Sequence, residues 1–201
     1  MLNTKVFEKI ACGLFVLSAP DGQKQNGCII NTVMQATASP ACITFAVNKL
    51  NYTCDLLAQQ DRFNISVLDE SAPFEVFQRY GFQSGRDTDK LAGAAVRNAE
   101  NGVFYLPDHT AAYLSGEILS RTDLTTHTLY VARVTAGEVL SDLAPMTYGF
   151  YHANVKPKPK KTAVKGWRCK ICGYIYKGET LPADFICPLC KHGAEDFEPI
   201  G

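Results

Sequence analysis

The sequence predicts a mainly β protein: a β-barrel with short helical excursions, followed by a small metal-held module. Three observations carry this. Residues 1–150 are filled by β-branched and aromatic runs broken by turn residues. A Pro/Lys-alternating stretch, NVKPKPKKTAVKG, then interrupts the composition. Beyond it stand two CxxC pairs in a tail too short to bury a core of its own.

In chain order the predicted strands are GLFVLSA, GCIINTVMQATA, ACITFAV, RFNISVLD, GVFYL, AAYLSGEILS and THTLYVARVTAGEVL. DG at 21–22, SP at 39–40, NG at 101–102 and AG at 136–137 punctuate them. Two helices are expected between strands. One covers 53–60, with Thr53 as its N-cap; the other covers 71–81, with Ser and Pro at its start and Gly at its end. No internal repeat is present at solenoid spacing.

Formal net charge is zero but unevenly spread. Residues 1–152 carry 11 Lys/Arg against 15 Asp/Glu, and residues 153–165 carry five Lys and no acid. Residues 166–201 carry four basic and five acidic side chains. The one basic cluster is Pro-alternating and lacks interleaved aromatics, which argues against nucleic-acid binding. It reads instead as a solvated, semi-rigid spacer, about ten residues of which reach ~30 Å when extended. No stretch approaches the ~20 apolar residues of a membrane span. The start, MLNTKVFEKIACGLFVLSAP, lacks a long apolar signal region. Cys12, Cys28, Cys42 and Cys54 show no paired spacing and read as buried small hydrophobes. With metal-type CxxC pairs elsewhere, the expected compartment is reducing and the location cytoplasmic.

Cys169, Cys172, Cys187 and Cys190 form C-x2-C-x14-C-x2-C, a tetrahedral metal signature open to zinc or iron. Gly173 lets the first pair turn tightly and aim N–H groups at sulfur, and Pro188 stiffens the second. Trp167, Tyr174, Tyr176, Phe185 and Phe197 supply an aromatic layer. In the long domain there is no GxGxxG and no GxxxxGK[ST], so neither a Rossmann site nor a P-loop is supported. NKLNYT, residues 48–53, precedes a predicted helix, whose N-terminal N–H groups and dipole favour an anion. Lys49 would add charge there, and Asn51 and Thr53 neutral donors. The plainer alternative is a capped helix beside a surface lysine.

WRCKICGYIYKG, LPADFICPLC and EDFE resemble rubredoxin in the shortened form found at the end of rubrerythrins. That resemblance implies Fe(SCys)4 and one-electron transfer. Lys191 departs from it, standing where glycine usually follows the fourth cysteine. GCIINTVMQATASPACITFAVNKLNYTCDLL, FQSGRDTDKLAG and THTLYVARVTAGEVL resemble the flavin reductase-like, FMN-binding split-barrel family over most of residues 1–150. By that resemblance Asn31, Thr32, Val33, Met34, Gln35 and Thr37 line the isoalloxazine and ribityl chain, largely through backbone groups. Asn48, Lys49, Asn51 and Thr53 take the phosphate. Lys90 is either a flavin neighbour or an exposed loop lysine. His127 lies near the nicotinamide, or is a satisfied barrel-end histidine. Tyr148, Tyr151 and His152 shield the flavin, form a subunit interface or, more plainly, pack at the barrel's last strand.

The expected division is thus a flavin reductase-like split barrel at 1–152, a linker at 153–165 and a rubredoxin-like domain at 166–201. The whole arrangement resembles the high-molecular-weight rubredoxins of anaerobes. It implies a homodimeric NAD(P)H-dependent oxidoreductase that passes electrons through FMN and iron to a flavodiiron protein reducing oxygen or nitric oxide. NADH and NADPH are not distinguished. Two alternatives stay open: a flavin reductase that releases reduced flavin, and a non-enzymatic FMN-binding protein with a zinc ribbon.

Overall fold

The computed structural model describes residues 3–22, 24–158 and 166–200. Strands β1 (Phe15–Asp21) and β2 (Lys24–Ile30) form a hairpin in register from Phe15↔Ile30 to Asp21↔Lys24, closed by Gly22 at φ +50°. β3 (Met34–Ala38) and β4 (Ala41–Asn48) form a second hairpin. The predicted run 27–38 is therefore two strands, broken at 31–33. Helix α1 (Tyr52–Gln59), strand β5 (Arg62–Leu68) and helix α2 (Phe74–Gly81) follow. Then come the short β6 (Arg97–Asn98) and β7 (Phe104–Tyr105) and the long pair β8 (Thr110–Asp123) and β9 (His127–Val139). Seven strands make one sheet in the order β2-β1-β5-β8-β9-β4-β3.

Alternation along β1 explains why it is apolar on both faces. Phe15, Leu17 and Ala19 of β1 enter the barrel core with Phe45, Phe63 and Tyr130. Leu14 and Val16 point the other way, into a second cluster with Phe77 and Tyr80 of α2. A strand buried on both sides needs no polar alternation. In the barrel core the Phe45 ring lies 5.0 Å from Phe63 and 5.1 Å from Tyr130. In the outer layer Phe77 meets Tyr151 at 4.4 Å.

AG at 136–137 is no turn. Both residues lie inside β9, where the register skips between Ser115 and Gly116. A Cβ on Gly137 would lie 2.8 Å from the Tyr113 carbonyl, so glycine permits a close strand approach rather than ending the strand. The helix caps differ from expectation too. Asn51 and Pro73 hold the N-cap positions. Ser71 instead turns its N–H and hydroxyl onto the Asp69 carboxylate, at 2.9 and 2.6 Å.

After β9 a short α-helical turn, Tyr148–Phe150, runs into a π-helical turn, Tyr151–Val155. The Lys156 N–H closes it on the Tyr151 carbonyl, and Lys156 adopts extended φ −62°, ψ 124°. The expected extended course of residues 159–165 lies outside the described residues. The C-terminal module is a three-stranded sheet of β10 (Gly166–Cys169), β11 (Ile175–Tyr176) and β12 (Phe197–Ile200), with β10 central. Among the described residues no helix is long and apolar enough to cross a membrane.

Candidate functional site

The four cysteines of the module converge. Their Sγ atoms all lie within 4.8 Å of one another, with Cys169 and Cys190 at 3.6 Å and Cys172 and Cys187 at 3.5 Å. A tetrahedral ion with sulfur at ~2.3 Å requires sulfur–sulfur edges of about 3.8 Å, so the cage fits such a metal. The chemistry of the donors agrees. The Cys172 thiol is drawn down to about 5, first by its contact with Cys190. Burial pushes Cys169 up to about 11, and the neighbouring Cys172 pushes Cys190 up. Four sulfurs in this volume cannot all ionise without a cation among them.

The two CxxC loops are built alike. The N–H of Cys169 bonds the Tyr174 carbonyl at 2.8 Å, and that of Cys187 bonds the His192 carbonyl at 2.8 Å. Gly173 N–H reaches the Cys169 carbonyl at 2.9 Å, and Lys191 N–H reaches the Cys187 carbonyl at 2.9 Å. Gly173 has φ +80° and Lys191 φ +62°. Lysine thus adopts the left-handed conformation that glycine takes at the matching position, and the hydrogen-bonding pattern of the second loop is intact.

Lys156 is not the solvated spacer its surroundings in the sequence predict. It is half-buried, its ammonium donates to the Ile171 carbonyl in the first cysteine loop, and burial lowers its pKa. This contact ties the module to the end of the barrel's last helical turn.

A cleft opens where the N-terminus of α1, the 83–90 loop and the module meet. Asn51, Thr53, Lys90, Cys190 and Lys191 are among the residues that line it. Asn51, at the N-cap of α1, makes no side-chain cap bond. Thr53 is fully buried and accepts from Asn26 Nδ2 at 2.8 Å, so it anchors the helix to β2 instead of capping it. Lys90 is 4% exposed, and its ammonium reaches only the carbonyls of Gly27 (2.9 Å) and Tyr80 (3.3 Å). No carboxylate pairs with it among the described residues, and burial holds its pKa below the ordinary lysine value. It is not an exposed loop lysine. A buried ammonium that lines the same cleft as a helix N-terminus is an arrangement that an anion relieves.

The 83–90 loop is held over α1 by Arg86. Its guanidinium donates to the Leu50 carbonyl at 3.0 Å, pairs with Asp55 and lies 5.4 Å from the Tyr52 ring centroid. Gly85 permits the close approach, since a Cβ there would sit 2.1 Å from Asn26 Oδ1. The other phosphate-side candidates sit differently. Asn48 accepts from Leu50 N–H at 2.9 Å, and Lys49 pairs with Asp123 at 2.7 Å on the exposed rim.

Asn31, Thr32 and Val33 form the break between β2 and β3, while Met34, Gln35 and Thr37 lie on β3. β3 is an edge strand exposed along its whole length, with Met34 at 65%. The side chains of Thr32, Gln35 and Thr37 are engaged internally. Thr32 exchanges two 2.9 Å bonds with the Ala46 backbone, Gln35 donates to the Thr37 carbonyl and Thr37 donates to the Pro40 carbonyl. What this segment offers outward is its backbone edge. His127 begins β9 opposite Asn48, with Nδ1 2.9 Å from the Thr126 hydroxyl. Burial first, and the nearby His192 second, lower its pKa.

Sequence reasoning missed Asn26, Cys28, Gly85 and the module edge Leu189–Lys191 as part of this cleft. Cys28 sits beneath it as a buried thiol whose pKa burial raises. Their common property is distance along the chain from the NKLNYT segment, which no local pattern records.

The family model for the flavin reductase like domain matches residues 7–157, and that for the rubrerythrin, rubredoxin-like domain matches 167–198. The high molecular weight rubredoxin of Moorella thermoacetica is 34% identical over 99% of this chain and 100% of its own length. The ferric-chelate reductase (NAD(P)H) of Archaeoglobus fulgidus is 32% identical over 81% of this chain and 96% of its own. Flavoredoxin from Methanosarcina acetivorans superposes with a TM-score of 0.62 at 21% identity, over 72% of this chain and 79% of that one. With a barrel that carries an anion-ready cleft and a tail that carries four converging sulfurs, the chain belongs to the flavin reductase-like family of oxidoreductases and bears a rubredoxin-like domain at its C-terminus.

Proposed function

We propose that the chain takes electrons from a reduced nicotinamide nucleotide, passes them through bound FMN to a tetrathiolate iron, and delivers them one at a time to an external acceptor. The single observation carrying this is the shared cleft: metal ligand Cys190 forms one wall, and Lys90 with the α1 N-terminus forms another. FMN, when bound, supplies exchange between hydride and single electrons. Lys90, Asn51 and Thr53 would hold its phosphate, with Lys49 and Asn48 at the rim. The backbone from Asn31 to Thr37 would meet the ring and ribityl chain. His127, kept neutral near pH 7 by burial, would border the nicotinamide without charging it. Cys169, Cys172, Cys187 and Cys190 would hold the iron.

This reading uses a barrel at 1–152, a linker at 153–165 and a metal domain at 166–201. The proposed acceptor is a flavodiiron protein, and the proposed assembly a homodimer; both rest on resemblance. An anaerobic NADH titration of the purified chain, followed by visible absorption, tests the central claim. Flavin and ferric-thiolate bands should bleach together at about 1.5 NADH per chain, three electrons in all. A flavin band alone, with zinc found by metal analysis, would leave a flavoprotein with a structural tail.

A further inference from the structure

Resting on the flavin-phosphate reading above, we propose that Lys191 of the metal module is the second cation of the barrel's phosphate site, so that cofactor binding and seating of the module are one coupled event. Lys191 lines the cleft together with Lys90, and no acidic side chain is among its lining residues. No ion pair engages Lys191 among the described residues. Two cations and a helix N-terminus thus border one concavity, with no carboxylate there to balance them.

The internal likeness of the two cysteine loops isolates what the lysine adds. Gly173 and Lys191 occupy matching positions, both with positive φ, and both give their N–H to the carbonyl of the first cysteine of their loop. Glycine therefore meets every backbone requirement of the position, and a non-glycine residue rarely adopts that conformation. The side chain is the only thing lysine contributes. At Gly173 a Cβ would meet nothing within 4 Å, whereas Lys191 faces the cleft. Both loops meet the barrel side, the first through Ile171 and Lys156, but only the second borders the cleft, and it carries the cation where the first carries glycine.

A phosphate held between Lys90 and Lys191 bridges barrel and module. By linkage, whatever the module adds to cofactor affinity, the cofactor adds to seating of the module. The bridge supplements the Lys156–Ile171 contact, which does not involve the cleft.

The test measures dissociation constants of FMN and riboflavin by fluorescence quenching on iron-loaded, flavin-stripped full-length chain. Wild type is compared with Lys191→Gly, Lys191→Asn and Lys191→Arg. Glycine and asparagine tolerate positive φ, so the cysteine loop is retained, and the ferric-thiolate spectrum checks this. FMN should bind about tenfold more weakly to the Gly and Asn variants and normally to the Arg variant, with riboflavin unchanged throughout. Unchanged FMN affinity in Lys191→Gly overturns the proposal while leaving the flavin reading intact. Equal weakening of FMN and riboflavin also overturns it, because the lysine would then act on packing and not on phosphate. Wild-type chain that holds FMN no tighter than riboflavin would sink the phosphate reading itself, and this proposal with it.

Discussion

The barrel and the metal module are stabilised by different means. The barrel buries two apolar clusters, with Phe45, Phe63, Leu17, Leu57 and Ile65 almost wholly removed from solvent. The module buries Cys169, Cys187 and Phe197, and two of these three belong to the four-sulfur cluster. Its other aromatics, including Trp167, Tyr176 and Phe185, are only partly covered. The barrel's fold thus rests on hydrophobic burial and is expected to survive without cofactor. The module, with so small a core, is expected to fold only with its metal bound. Chemistry crosses that division: the cleft takes one wall from the barrel and another from Leu189–Lys191 of the module.

The largest way to break the comparison is to remove one ligand. Cys187→Ser should abolish metal binding and unfold the module while the barrel's strand signal in circular dichroism persists. The chain's single tryptophan, Trp167, lies in the module, so its emission should shift to that of an exposed indole and report this part alone. Loss of the strand signal along with it would refute the division. The converse change is Phe63→Ala. It should destabilise the barrel by about 3–5 kcal/mol, seen in chemical denaturation, with Trp167 emission at low denaturant unchanged.

A smaller effect sharpens the account of the cleft. Lys90 has its pKa lowered by burial, so the folded state holds fewer protons than the unfolded chain between that lowered value and the ordinary ~10.4. Stability attributable to Lys90 should therefore rise as pH climbs through that window, and Lys90→Met should remove the rise. The same substitution should leave the barrel at least as stable near pH 7, because an uncompensated buried charge is gone, yet weaken FMN about tenfold or more. Thermal denaturation across pH and flavin titration check the two halves separately. A destabilised variant that keeps its FMN affinity would make Lys90 a structural residue.

Local pattern made much of this architecture legible. The β-branched runs became strands and the two CxxC pairs became one cage, because period and spacing encode both. The misreadings share a cause. Residues 31–33 break a run that continues uninterrupted in composition, and Gly137 reads as a turn until strand β8 is placed beside it. Thr53 looks like a cap, but a side chain 27 positions earlier claims it. Lys90 reads either as a flavin neighbour or as an exposed loop lysine, and only the fold rules out the second, because the side chain bonds a carbonyl 63 positions away. Burial of a polar side chain is decided by the partners the fold brings to it, and those leave no mark on neighbouring letters. Lys191 is the mixed case: its departure from glycine was visible in the sequence, but what it faces was not.

The pairing of β4 with β9 also has a consequence for assembly. Cys42 lies opposite Arg133, and Ile43 opposite Ala132, so the sheet cannot complete until most of the chain exists. The four sulfurs, by contrast, fall within one short tail. Closing the long loops of the barrel is entropically slow, whereas the tail's contacts are local. When the full chain refolds from denaturant, the module is thus quick to collapse around its ion, while the barrel must first close its long loops. Metal capture is expected to run ahead of barrel completion, and the joint cleft, which needs both, is the last feature of the molecule to form.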